Sequence, residues 1–96
     1  MTQILLVCNA GMSSGILAKK MEDASNGTMK INAVGVSDYK DHLEDKELIL
    51  IGPQIRYHLE EIRNSVNVPV ILIDFQKYGL MDAAGILNDV KKSLIL

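Results

Sequence analysis

Four short apolar runs decide what this chain can fold into. Ile4-Leu5-Leu6-Val7 leads up to Cys8, and Ile31 to Val36 forms a second run. Leu48-Ile49-Leu50-Ile51 is the third, stopped by Gly52-Pro53, and Val70-Ile71-Leu72-Ile73 is the fourth, stopped by Asp74. The first, third and fourth are continuous rather than alternating, as expected for parallel strands buried on both faces. Helical patterns fill most of the gaps. Residues 12 to 25 place Ile16, Leu17, Met21 and Ala24 on one broad face, with Gly27 where a C-terminal cap belongs. Residues 53 to 65 open on Pro53, a favoured first helical residue, and carry Ile55, Leu59, Ile62 and Val66 as an apolar stripe. A last helix starts near Asp82 as N-cap, with Ala83, Leu87, Val90 and Leu94 facing the core. Tyr39 and Leu43 suggest one or two helical turns between Ser37 and Lys46. Strand and helix in alternation imply an α/β sandwich with a parallel sheet and right-handed crossovers.

In an open sheet of this kind, ligands bind beyond the carboxyl ends of the strands, near the switch point. The first strand delivers Cys8 to that edge, where partners can reach it. Asn9, Ala10, Gly11, Met12, Ser13, Ser14 and Gly15 follow, and then the helix. Small residues and glycines let backbone N–H groups turn towards an anion. The helix start adds unpaired N–H groups and a favourable dipole. An unperturbed thiol ionises near pH ~8.5, so a nucleophilic cysteine benefits from such surroundings. The same N–H groups suit a phosphate attached to the sulfur. Ser13 and Ser14 add hydroxyl donors or cap the helix. A cysteine at a strand end can equally be a small buried hydrophobe; the glycine–serine loop tips the balance towards chemistry.

Composition excludes other classes. The chain has 96 residues, a net charge of −2 and no basic cluster, which argues against nucleic acid as a partner. Its apolar runs fall far short of the ~18 residues of a membrane span. The amino terminus runs into an apolar segment without a charged leader, so no secretory signal is read there. One cysteine forms no internal disulfide and suits a reducing cytosol. His42 and His58 show no metal-ligand spacing with Cys8, so no metal and no cofactor are expected.

With these residues in view, the loop Cys8-Asn9-Ala10-Gly11-Met12-Ser13-Ser14 resembles the active loop of the IIB components of the bacterial sugar phosphotransferase system (PTS), lactose/cellobiose (chitobiose) class. The likeness extends to Met21 late in the first helix, to Ile51-Gly52-Pro53-Gln54-Ile55-Arg56-Tyr57, and to Ile73-Asp74 with Tyr78-Gly79. It covers essentially the whole chain. The resemblance implies one IIB domain over residues 1–96, folded as a three-layer sandwich similar to low-molecular-weight cysteine phosphatases. Its sheet would hold four parallel strands in the order 2-1-3-4. Cys8 would take phosphate from a phosphohistidine on a IIA partner and yield it to a sugar held by a membrane-embedded IIC partner. The protein would then work in the cytoplasm, against the inner face of the membrane through IIC. Pro53, Gln54, Asp74 and Tyr78 are expected at the rim of the site or in partner docking. Asn9 and Gly15 depart from the pattern, which has a smaller residue and a serine at these positions. A cysteine phosphatase would carry an arginine where this chain has Ser14, and without that fixed cation hydrolysis is poorly supported. A thiol redox protein would want a resolving cysteine, and there is none. A flavodoxin-like binding module with an incidental Cys8 is the non-catalytic alternative.

Overall fold

The computed structural model describes residues 1–9 and 12–94, with the side chain of Met12 outside it. Along the chain lie β1 (Thr2–Cys8), α1 (Met12–Ala24), β2 (Met29–Gly35), a 3-10 turn over Tyr39–His42 and β3 (Leu48–Ile51). A 3-10 segment over Pro53–His58, α2 (Leu59–Ser65), β4 (Val70–Leu72), α3 (Phe75–Gly79) and α4 (Ala83–Leu94) follow. The four strands are parallel and ordered β2-β1-β3-β4. Ile4 stands opposite both Ile31 and Leu48, and Ile51 stands opposite Val7 and Leu72.

The continuous apolar runs sort by parity onto the two faces of the sheet, as the two-residue period of a strand requires. Ile4, Leu6, Cys8, Leu48 and Leu50 join one core with Leu17, Ala18 and Met21 of α1 and with Ile86, Leu87 and Val90 of α4. Leu5, Val7, Ile49 and Ile51 join the opposite core with Ile55, Ile62 and Tyr39. Helices therefore cover both faces in three layers. Each fully buried Ile or Leu contributes about 1.5–3 kcal/mol of transfer free energy, so the two central strands dominate the core.

Several elements depart from their sequence reading. On α1 the buried apolar residues are Leu17, Ala18 and Met21, while Ile16 keeps half its surface in water and Ala24 is exposed. The sheet covers a narrower stripe of this helix than its apolar residues could fill. The helix expected over 53 to 65 is broken: Ile55 leaves helical geometry (φ −118°, ψ 29°), and regular α-helix begins only at Leu59. The break seats the Ile55 side chain, which is fully buried, while Gln54 is exposed. The fourth strand, despite its continuous apolar run, is a short edge strand paired only with β3; Ile71 is half-buried and Leu72 exposed. The β2 edge is blunted by side chains. Glu22 Oε2 accepts from the Ile31 N–H at 2.8 Å, and Ser25 Oγ accepts from the Met29 N–H at 3.2 Å. Asp82 caps α4 as read, its Oδ1 accepting from the Gly85 N–H at 3.0 Å. Past the end of α1 the chain turns through two left-handed residues, Asn26 (φ 55°) and the expected Gly27 (φ 78°), where most side chains would be strained. No described helix is long and apolar enough to cross a membrane.

Candidate functional site

The order β2-β1-β3-β4 places the switch point between β1 and β3, because the chain leaves β1 in one direction and returns on its other side. Cys8 ends β1 and Gly52 follows β3, so both stand over that crevice. The approach is close. A β-carbon built on Gly52 would lie 2.6 Å from Cys8 Sγ and 3.2 Å from its Cβ. Gly52 itself has ordinary extended torsions (φ −65°, ψ 144°), so the requirement for glycine here is space, not conformation.

Two further side chains meet the sulfur. Gln54, two residues beyond Gly52 in the 3-10 segment, brings Oε1 to 3.5 Å from Sγ. Tyr78, from α3 beyond β4, brings its hydroxyl to 3.4 Å from Sγ. The same hydroxyl lies 3.4 Å from Ser13 Oγ in the first turn of α1, a looser contact than most O–H···O bonds. The carboxyl edges of β1, β3 and β4 and the amino terminus of α1 thus converge on one thiol. Burial pushes the Tyr78 phenol above its ordinary pKa; the contact with Cys8 adds to this and the contact with Ser13 opposes it.

Cys8 is 3% exposed, not open at the edge as expected. Its strand position faces inward, and Gln54 and Tyr78 close over it. Tyr78 is buried at 6%, whereas Gln54 is exposed, so the glutamine is the removable part of this cover.

The remaining sequence-predicted residues divide clearly. Ser13 reaches the cluster through Tyr78. Asn9 and Gly15 are exposed, and Ser14 is buried at 5%. Ala10, Gly11 and the side chain of Met12 lie outside the described residues, and so does the part of the amide cradle they would supply. Pro53 is buried and starts the 3-10 segment. Asp74 does not meet the sulfur; it caps α3, its Oδ2 accepting from the Lys77 N–H at 3.1 Å. Sequence reasoning read Gly52 only as a strand stop. The signal that could have marked it is its place at the carboxyl end of β3, beside the strand that ends in Cys8. Among the described residues no group of three His, Cys, Asp or Glu side chains converges as a metal site would need.

The family model described as "PTS system, Lactose/Cellobiose specific IIB subunit" matches residues 3–89. The chain is 33% identical over 88 residues to the PTS system oligo-beta-mannoside-specific EIIB component of Bacillus subtilis, covering 85% of each chain. A 29% identity over 69 residues relates it to the PTS system lactose-specific EIICB component of Staphylococcus epidermidis, covering 69% of this chain and 12% of that protein. Among solved structures, the lactose-specific IIB component domain from Streptococcus pneumoniae superposes with a TM-score of 0.78 at 16% identity, over 96% of both chains, a likeness of fold. The cellobiose-specific phosphotransferase IIB component protein from Borrelia burgdorferi gives 0.72 at 28% identity, over 91% of this chain and 85% of that one. The chain therefore belongs to the lactose/cellobiose-specific IIB family of the sugar phosphotransferase system.

Proposed function

We propose that residues 1–96 act as one phosphoryl-carrier domain in which Cys8 receives a phosphoryl group from a phosphohistidine of a IIA component and passes it to a sugar bound in a IIC component. In the first step the thiolate attacks phosphorus. The S–P bond forms as the N–P bond breaks, and its electron pair returns to the imidazole. In the second step a sugar hydroxyl attacks the same phosphorus. The S–P bond breaks, the thiolate is regenerated, and the hydroxyl proton passes to a base on the membrane partner. Loop amides from residue 9 to residue 15 and the first turn of α1 would hold the phosphoryl oxygens.

The observation that carries this reading is the position of the sulfur. The chain's one cysteine stands at the switch-point crevice, and Ser13 and Tyr78 link it to the amino terminus of a helix. Because Cys8 is covered, transfer requires the Gln54 side chain to move aside. The relative named for cellobiose supports a sugar of the β-glucoside type, in the cellobiose, chitobiose and lactose class. The relative named EIICB supports a IIC partner, and with it a place at the inner face of the membrane. The test is Cys8→Ser supplied with phosphorylated IIA and a sugar-loaded IIC component. Sugar phosphorylation should disappear, and continued transfer would remove the proposal.

A further inference from the structure

The Cys8 sulfur lies between two groups of opposite hydrogen-bonding character. Gln54 Oε1, 3.5 Å away, can only accept, and so favours the sulfur as S–H. The Tyr78 hydroxyl, 3.4 Å away, can donate, and a donor favours the sulfur as an anion. Ser13 Oγ, 3.4 Å from the same phenol oxygen, can donate to it and leave the phenol hydrogen free for the sulfur.

We propose that Tyr78 is the positioning residue that turns Cys8 into its nucleophilic form, its O–H donating to the thiolate, while Gln54 is the counterweight, its acceptor oxygen opposing the anion and its side chain covering the sulfur. This rests on the reading of Cys8 as the phosphoryl-bearing nucleophile and names what prepares it.

Three observations support the assignment. First, the phenol is fixed. Tyr78 is only 6% exposed, and α3 is held by the Asp74 cap and by Lys77 Nζ, 2.7 Å from Asp89 Oδ2 on α4. Second, the two side chains that meet the sulfur, Gln54 and Tyr78, are both uncharged, and of the two contacting atoms only the Tyr78 hydroxyl can donate. Third, the phenol is raised above its ordinary value, so it keeps its hydrogen near neutral pH and can donate it.

The pH profile of Cys8 alkylation by iodoacetamide, measured on the full chain, tests this directly. Tyr78→Phe should move the midpoint up by about one pH unit, leaving about tenfold less reactive thiolate at pH 7. Gln54→Leu keeps the bulk and removes the acceptor, and should move the midpoint down. Two residues that merely covered the thiol would instead give faster reaction at every pH, with no change of midpoint. An unmoved or lowered midpoint in Tyr78→Phe overturns the proposal. If that variant does not fold, Ser13→Ala carries the test: a smaller upward shift supports it and an unchanged midpoint overturns it. Alkylation reads the thiol without any phosphoryl donor. A failure of the carrier reading would therefore appear only in the transfer assay, and a failure of this inference only in the profile.

Discussion

A β-carbon on Gly52 would press on Cys8 Sγ at 2.6 Å and would also lie 3.2 Å from Gln54 Oε1. Separations below 3 Å cannot be absorbed without displacing the sulfur. Gly52→Ala should therefore cost about 1–3 kcal/mol, the usual penalty for an overpacked core. Urea denaturation should show the loss, and phosphotransfer should fall with it because the sulfur moves off Tyr78. At this scale the sequence was partly legible. The identity of Cys8 and the loop behind it could be read from residue type and from position after an apolar run. The contact between Cys8 and Tyr78 spans 70 positions and exists only because β1 and α3 meet over the crevice. No local pattern records it. The burial of the thiol was equally hidden, since strand parity alone does not say what closes over the strand's end.

The elements were easier to read where their length gave periodicity room to show. β1, β3, α1 and α4 stand close to where the runs and caps placed them, and Asp82 and Gly27 mark ends that the structure confirms. α3 has only five residues, too few for a periodic signal, and Asp74, which caps it, was its one clue. The break at Ile55 reflects tertiary demand overriding a good helical stripe. Gly15 offers a direct trial of local propensity. It lies inside α1, and a β-carbon there meets nothing within 4 Å. Gly15→Ala should raise stability by about 0.5–1 kcal/mol by reducing the freedom of the unfolded chain. A shifted denaturation midpoint with an unchanged slope would show it.

Across the whole molecule, two groups tie the site to the stability of the fold. The contact with Asp89 raises the pKa of Lys77 against opposing burial, and the charges of Asp89, Asp74 and Asp82 add to it. The Tyr78 phenol is raised as well, by burial first and then by Cys8. In both cases the folded chain favours the protonated form. Their contribution is therefore complete below the ordinary values of about 10 for a phenol and about 10.4 for an ammonium, and is lost as pH rises through the raised ones. Urea midpoints should hold steady up to about pH 9 and fall above about pH 10, and Tyr78→Phe with Lys77→Met should flatten that fall. A midpoint that rose above pH 10 would contradict the assignment. The same two residues brace α3, so alkaline loosening should also release the cover over Cys8.

In the proposed transfer a phosphoryl group resides on one sulfur, that of Cys8. Incubation of the full chain with phosphorylated IIA, followed by intact-mass and peptide mass spectrometry under conditions that preserve thiophosphate bonds, tests it most directly. One added phosphoryl group should appear, located on Cys8 and lost on addition of sugar-loaded IIC. An unmodified Cys8 under conditions that charge a control carrier, or a phosphoryl group located on any other residue, would contradict it.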